Sequence, residues 1–268
     1  MPLVTIHYHT KEGEKLNLGK TSKKLAEDFE KSKVDYLILT DKAFACEKID
    51  LPIKAFKEIK SYLKAKKENL LFGLEFLTFD NYHILGLCLT PERWENKISP
   101  KNLENVCKSI ERDEGFIVVP HQFGPCGLGK RADEIIKLYE KGEICHKPFI
   151  EVSYYLESIP SLKKGLKKAN KEAINYARKN NLALISGLDS RFKSFDLAFN
   201  FFKEDIRKCL EKASLQGFNN NYIIPYITPS HTLMLRETIY LLRDHTTGFL
   251  RTGKFEIASY FLGQIVKS

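Results

Sequence analysis

The first ten residues, MPLVTIHYHT (1–10), hold a short apolar segment followed by two histidines. Val4–Ile6 is typical of a β-strand. Side chains alternate along a strand, so His7 and His9, two residues apart, are expected on the same face. Two neighbouring imidazoles suit a shared divalent cation. Taken alone, the pair fits a purely structural role better, so its meaning depends on the rest of the chain.

Short apolar segments and amphipathic helical patterns then alternate as far as Asp189. Further strands are predicted at Val34–Leu39, Leu70–Phe76, His83–Leu89, Phe116–Val119, Phe149–Val152 and Leu182–Ile185, and helices at Thr21–Lys31, from Pro100, at Ala132–Glu140 and at Leu162–Arg178. Such alternation indicates an α/β fold with a parallel sheet. About seven strands in about 190 residues favour a closed barrel over an open sheet.

The pattern changes after Asp189. Helices are predicted at Phe195–Ala213, His231–Asp244 and Phe255–Val266. The sequence therefore predicts a barrel domain over residues 1–197 and a helical extension over residues 198–268 that packs on the barrel.

Composition narrows the class of ligand. The 268 residues allow one large domain, or one domain with an appendage. A net charge of +9 favours an anionic ligand, although a lysine-rich composition explains it equally well. The six cysteines form no C-x-x-C motif, and neither a signal peptide nor a membrane-spanning apolar stretch is evident. We therefore expect a cytoplasmic protein with reduced thiols and no membrane partner.

Several polar residues fall where predicted strands end. They are Asp41, Glu75, His121 and Asp189. In an α/β barrel, the carboxyl ends of the strands form the face where active sites are built. His83 lies near the start of its strand and fits this pattern less well. Each residue alone is explained more simply by capping, a turn or a core hydrogen bond. That the whole set falls at the ends of predicted strands is not readily explained by chance.

In their order along the chain, these residues resemble the motifs of the PHP (polymerase and histidinol phosphatase) superfamily. The matching segments are His7-Tyr8-His9-Thr10, Thr40-Asp41-Lys42, Gly73-Leu74-Glu75, His83-Ile84-Leu85-Gly86, Pro120-His121, Ser186-Gly187-Leu188-Asp189 and Asp196-Leu197. The resemblance covers about residues 4–197 and leaves the tail uncovered. It implies a distorted (βα)7 TIM-like barrel that holds two or three metal ions, in a family that includes phosphatases, phosphodiesterases and polymerase-associated domains.

Carried over by position, the resemblance implies a set of six metal ligands. They are His7, His9, Glu75, His83, His121 and Asp189. Glu75 would bridge one ion held by His7, His9 and Asp189 to a second held by His83 and His121. Histidine-rich sites accept zinc, manganese or iron, so two divalent ions of one of these kinds are expected.

The sequence departs from the family pattern where the family holds a third ion. Lys42 replaces the histidine of T-D-H, Arg191 replaces the final histidine of S-D-x-H, and Glu12-Gly13-Glu14 is compressed. Lys42 and Arg191 are therefore expected to substitute for that ion, by neutralising carboxylates or by holding substrate phosphate. The competing interpretation is a site that has lost catalysis.

Two basic segments have open interpretations. The loop Gly124–Lys130 offers backbone amides and Lys130 to a phosphate, although a plain flexible loop is the simpler interpretation. Residues 161–181 carry Lys163, Lys164, Lys167, Lys168, Lys171, Arg178 and Lys179 against a single Glu172. A solvated outer helix face explains them best, and contact with a nucleic-acid backbone is the alternative.

The resulting hypothesis is a metal-dependent phosphoesterase, either a phosphatase or a phosphodiesterase. A hydroxide held between the two ions would attack phosphorus, Lys42 and Arg191 would hold phosphate oxygens, and Asp41 would orient a ligand histidine. The expected partner is a small phosphorylated substrate or a nucleotide. A nuclease that uses the same ions and a non-catalytic binding module remain as alternatives.

Overall fold

A computed structural model describes residues 1–13, 20–124, 126–153, 163–190 and 195–227. The strands are β1 (Leu3–Tyr8), β2 (Tyr36–Leu39), β3 (Lys42–Phe44), β4 (Leu70–Phe72), β5 (Leu74–Leu77), β6 (His83–Leu87), β7 (Phe116–Val119), β8 (Phe149–Ser153), β9 (Leu184–Gly187), β10 (Ala198–Phe202) and β11 (Ile223–Ile227). The α-helices are α1 (Ser22–Lys31), α2 (Asp50–Tyr62), α3 (Pro91–Trp94), α4 (Leu103–Arg112), α5 (Ala132–Glu140), α6 (Lys163–Lys179) and α7 (Ile206–Gln216). Within these ranges, every helix is too short or too polar to cross a bilayer.

The strands form two mixed sheets. One has the order β11-β10-β1-β2-β4, and the other has the order β3-β5-β6-β7-β8-β9. The α/β prediction is confirmed, but the expectation of a parallel sheet is only partly right. Strand β6 runs antiparallel to β5 and β7, and β10 runs antiparallel to β1 and β11.

Gly73 splits the single strand predicted at Leu70–Phe76 into β4 and β5, which belong to different sheets. Its amide donates to the Leu39 carbonyl at 2.8 Å, and a Cβ at this position would lie 2.7 Å from the Gly86 carbonyl oxygen. Only glycine permits so close a backbone approach. The chain therefore passes from one sheet to the other at this residue.

Backbone hydrogen bonds also join the end of β9 to β1. The amide of Leu188 donates to the Ile6 carbonyl, and the amide of His9 donates to the Ser190 carbonyl, both at 3.1 Å. These two bonds bring the residues that follow β9 beside the residues that end β1.

The single helix predicted over Phe195–Ala213 is wrong. Ala198–Phe202 forms β10, which pairs with both β1 and β11, and α7 begins only at Ile206 behind an Asp205 cap. The Asn200 side chain reinforces this by bonding the backbone of Ser186 in both directions, at 2.8 and 2.9 Å. Tertiary pairing overrides the local helical pattern here. The helices predicted at 231–244 and 255–266 lie outside the described residues.

The core has an inner and an outer cluster. The inner cluster mixes side chains from both sheets with those of α7, including Ile6, Ile38, Leu85, Val118, Ile185 and Leu210. The outer cluster packs helices against strands, as Phe29 and Phe56 do. Helix α1 begins as predicted, since the Thr21 hydroxyl accepts from the Lys24 amide. Helix α4 begins later than the Pro100 prediction because Asn102 caps it.

Candidate metal centre

Glu75 lies at the centre of the six predicted ligands, and its carboxylate is 1% exposed. Its Oε1 lies 2.7 Å from His83 Nδ1, 3.5 Å from His7 Nε2 and 3.7 Å from His121 Nε2. Its Oε2 lies 3.5 Å from His9 Nε2. Four histidines from three separate parts of the chain therefore face one carboxylate.

Asp189 lies close to two of the same histidines. Its Oδ1 lies 3.3 Å from His9 Nε2 and 3.6 Å from His7 Nε2. Three groups of donor atoms lie within 4.8 Å of one another: His7, His121 and Asp189; His7, His9 and Glu75; and Glu75, His83 and His121. The structure thus brings all six together, and their role as metal ligands stays a prediction.

The reversed direction of β6 explains the position of His83. Leu77 pairs with His83, and Leu85 pairs with Val118, so β6 begins beside the end of β7. His121 follows that end after one residue, Pro120. The first residue of an antiparallel strand therefore lies at the same edge as residues that follow neighbouring strands.

Three of the six residues have left-handed backbone. The φ angles are 58° at His7, 32° at His121 and 44° at Asp189. This conformation is uncommon for residues other than glycine, costs free energy and clusters at functional sites. The same three residues form one of the donor groups, so the strain coincides with the proposed ligands.

The donor atoms fit divalent cations. His7 Nε2, Glu75 Oε2 and His121 Nδ1 are buried without a hydrogen-bond partner among the described residues. Leaving such a buried atom unsatisfied costs about 1–3 kcal/mol. Imidazole nitrogens mixed with carboxylate oxygens are the ligands that zinc, manganese and iron accept. A bound cation would satisfy atoms that the described protein groups leave unpaired.

Electrostatics keeps both carboxylates of the cluster ionised. Burial alone would raise the pKa of Glu75, but the charges of His83 and Lys42 outweigh it and hold that pKa well below its usual value. Burial likewise opposes the ionisation of Asp189, yet His7 and His9 hold its pKa below the usual range. Two ionised carboxylates therefore face the centre of the cluster.

The pKa values of His7 and His83 are shifted in opposite directions. Burial lowers the pKa of His7, but the charges of Glu151 and Asp189 outweigh it and raise that pKa well above its usual value. Burial dominates at His83 and lowers its pKa, although Glu75 opposes the shift. Without a metal ion, the raised pKa therefore favours the positively charged form of His7. A bound divalent cation would supply that positive charge instead.

Glu151 belongs to the site, although the sequence analysis did not select it. Its Oε1 lies 2.6 Å from His7 Nδ1, and its Oε2 accepts from the His121 amide at 2.9 Å. The strand that carries it was predicted, and the available signal was a carboxylate inside the apolar segment Phe149–Ser153. A buried charge of that kind requires partners.

Asp41 and Lys42 flank the cluster. Asp41 accepts from the Thr10 amide at 2.5 Å and from the Thr10 hydroxyl at 2.6 Å, which fixes the turn after β1. Lys42 is buried, pairs with Glu75 across β3 and β5, and places Nζ 4.0 Å from Glu75 Oε2. The predicted role of Asp41 in orienting a ligand histidine stays a prediction.

The remaining predicted residues lie at the surface or outside the described ranges. Lys130 has an exposed side chain in the 3₁₀ turn Gly129–Arg131, and Arg191 lies outside the described residues. On α6, Lys171 and Arg178 are exposed whereas Ala173 is buried, as a solvated outer helix face requires. The side chains of Lys163, Lys164 and Lys167 lie outside the described part.

Comparison with known proteins supports the fold. No protein-family model and no curated protein matches the sequence. A two-domain protein from Bacteroides vulgatus ATCC 8482, described as containing a predicted PHP-like metal-dependent phosphoesterase, matches with a TM-score of 0.54, 17% identity, and 84% of this chain against 64% of that chain. The lesion-specific endonuclease PfuEndoQ from Pyrococcus furiosus matches with a TM-score of 0.52, 13% identity, and 90% against 66%.

A third structure, PsfC from Pseudomonas syringae PB-5123, matches with a TM-score of 0.52 and 12% identity over 93% of this chain and 98% of that chain. The chain spans less than two thirds of each of the first two proteins. At these identities the likeness concerns the fold, and at that level the resemblance predicted from the motifs is confirmed.

Proposed function

We propose that the chain is a metal-dependent phosphoesterase, acting as a phosphatase or a phosphodiesterase. The observation that carries the proposal is the buried cluster of four imidazoles and two carboxylates around Glu75. Three imidazole nitrogens lie 3.5–3.7 Å from its oxygens, longer than ordinary hydrogen bonds. The fold likeness to a protein described as a PHP-like metal-dependent phosphoesterase supports the reaction class.

His7, His9, Glu75 and Asp189 would hold one divalent ion, and Glu75, His83 and His121 would hold the second. The donor set suits zinc, manganese or iron. Bound ions would lower the pKa of a water and stabilise the negative charge that develops on a phosphoryl group. His7 would present Nε2 to the ion, because its Nδ1 faces Glu151.

Lys42 would supply the fixed positive charge in place of a third ion. Its buried ammonium lies beside Glu75 and would bind a phosphate oxygen of the substrate. Arg191 would hold a second oxygen, and Lys130 would contact the substrate at the rim. Asp41, which accepts two hydrogen bonds from Thr10 in the turn after β1, would fix the approach of His9.

We further infer that the two sheets close into one distorted (βα)7 barrel. The chain crosses between the sheets at Gly73, and backbone bonds join Leu188 and His9 across β1 and β9. Side chains from both sheets also share the inner core. The division into residues 1–197 and 198–268 stays a prediction, although β10 extends the sheet that contains β1.

Hydrolysis assays test the function directly. Metal-free protein is supplied with manganese or zinc and offered an aryl phosphate monoester and the corresponding diester. We expect metal-dependent release of the aryl alcohol by the wild type, and none above background by Glu75→Ala. Absence of turnover on both esters, with metal demonstrably bound, would contradict a phosphoesterase and favour a binding module.

A nuclease is the second candidate. The net charge of +9 and the fold likeness to a lesion-specific endonuclease favour it. Binding to a nucleic-acid backbone weakens steeply with added salt, because counterions are released on binding. We therefore expect a nuclease to lose substrate affinity about 1000-fold or more between 50 and 200 mM salt if it makes about six phosphate contacts. A phosphatase acting on a small ester should change far less.

A further inference from the structure

We infer that Glu151 is a positioning residue, whose carboxylate fixes the proposed ligands His7 and His121 through atoms that do not bind the metal. Only a carboxylate can make both contacts, and only a glycine at the neighbouring residue 187 leaves space for it. The inference rests on the proposed metal centre and adds a residue and a requirement to it. Glu151 itself would not touch the substrate.

The contacts of Glu151 reach every donor group of the cluster. One oxygen lies 2.6 Å from His7 Nδ1, and the other accepts from the His121 amide at 2.9 Å. Each of the three donor groups contains His7, His121 or both. One completely buried side chain therefore fixes a ligand in each group at once.

Both contacts require an acceptor. The His121 amide is a donor, and His7 Nδ1 must carry its proton if Nε2 is to face Glu75 and Asp189 as a ligand. A carboxylate accepts at both oxygens. A glutamine offers one carbonyl oxygen and one NH₂ group, so its NH₂ group would oppose one of the two N–H donors. The isosteric change from Glu to Gln therefore breaks the arrangement without a change in volume.

The bond to His121 also supports its backbone. The φ of 32° at His121 is a left-handed conformation that a residue with a Cβ adopts only when surrounding contacts hold it. The carboxylate bond to its own amide is such a contact. Loss of that bond would release the imidazole of His121 from its position beside Glu75.

Gly187 provides the space for this carboxylate. A Cβ at residue 187 would lie 1.7 Å from Glu151 Oε1 and 2.5 Å from its Cδ. These positions belong to the neighbouring strands β8 and β9. The glycine of the segment Ser186-Gly187-Leu188-Asp189 is thus explained by the carboxylate beside it, because a side chain at 187 would displace Glu151.

Two variants and one matched control test the inference. Glu151→Gln removes one acceptor, and Gly187→Ala displaces the carboxylate while leaving it in the chain. Asp113→Asn is the control for loss of a buried carboxylate charge, since Asp113 is also buried but accepts from the Thr90 amide and Trp94 Nε1 on a single oxygen, Oδ2. Asp113 precedes β7, whereas His121 follows it, so the control lies at the opposite end of that strand.

Metal binding is the readout. Affinity for zinc is measured by competition with a chromophoric chelator, and the ligand geometry by the visible spectrum of the cobalt-substituted protein. We expect Glu151→Gln and Gly187→Ala to bind about 10- to 100-fold more weakly, with an altered cobalt spectrum, and Asp113→Asn to match the wild type. Far-UV circular dichroism checks that each variant is folded.

Two outcomes would overturn the inference. One is wild-type affinity and an unchanged cobalt spectrum in folded Glu151→Gln. The other is an equal loss of affinity in Asp113→Asn, which would make the effect a general loss of stability. A third outcome separates the inference from the proposed function. If both site variants bind metal more weakly but the wild type hydrolyses neither ester, the role of Glu151 is supported and the proposed phosphoesterase is contradicted.

Discussion

Two buried carboxylates, Glu75 and Asp113, lie in different surroundings. Asp113 Oδ2 accepts from Trp94 Nε1 at 2.6 Å and from the Thr90 amide at 2.8 Å. Glu75 instead faces nitrogen atoms of four imidazoles, that of His83 at 2.7 Å and those of His7, His9 and His121 at 3.5–3.7 Å.

This difference distinguishes Asp113, a carboxylate with a structural role, from Glu75, a carboxylate in a candidate metal site. Asp113 is stabilised by two N–H groups that donate to Oδ2 and by the Arg93 guanidinium 3.3 Å from Oδ1. Around Glu75, four imidazoles and the Asp189 carboxylate converge, and His7 Nε2, Glu75 Oε2 and His121 Nδ1 have no hydrogen-bond partner among the described residues. Such an arrangement costs stability unless a further group satisfies it, and a divalent cation is the group that this donor set accepts.

The largest expected effect belongs to Glu75, because the proposal places it on both ions. Glu75→Gln should lower zinc affinity by at least about 100-fold, more than loss of a supporting residue does. Competition with a chromophoric chelator measures the affinity. Binding as tight as that of the wild type would show that the carboxylate is not a ligand.

Lys42 is expected to give the next largest effect, on turnover rather than on metal content. Its ammonium lies 4.0 Å from Glu75 Oε2. Lys42→Met should lower kcat/KM for an aryl phosphate about 10- to 100-fold, the value of one charged hydrogen bond. Lys54→Met, a change at an exposed lysine of α2, is the control and should leave kcat/KM unaltered. Equal effects of both changes would refute a specific role for Lys42.

Asp113→Asn should show the opposite pattern from Glu75→Gln. Both hydrogen bonds go to Oδ2, so the amide oxygen of Asn can keep them, but the ion pair between Oδ1 and Arg93 is lost, and the free energy of unfolding should fall by no more than about 1 kcal/mol. Urea denaturation measures this change. Zinc affinity should stay at the wild-type value, and a parallel loss of affinity would blur the distinction between the two carboxylates.

The smallest expected effect is a pH dependence of the metal-free protein. The pKa of His7 is raised above 6.5 in the folded state, so the stability that its proton contributes is present below pH 6.5 and is lost as the pH rises through the folded pKa. Glu75 and Asp189 have lowered pKa values and lose their contribution only in acid. Urea denaturation from pH 6 upward should show a steeper decline for the wild type than for His7→Gln. An equal decline of the free energy of unfolding in the two proteins would show that protonation of His7 does not contribute to stability.

The six proposed ligands could be selected from the sequence because histidines and carboxylates at the edges of apolar segments follow one another in an order that resembles the PHP motifs. His83 fitted poorly, since the sequence does not reveal that β6 runs antiparallel and so begins at the ligand edge. The strand β10 was missed because Ala198–Phe202, a short apolar segment, is compatible with either periodicity. Glu151 was missed because one acid in a short strand becomes informative only when its partners, His7 and His121, are known.

Elemental analysis with calorimetric titration of the metal-free protein tests the metal centre most directly. We expect the wild-type protein to take up two divalent ions per chain, Glu75→Gln to take up fewer, and Asp113→Asn to take up two. Wild-type protein that takes up neither zinc, manganese nor iron would contradict it, and the cluster around Glu75 would then be an unusually strained structural element.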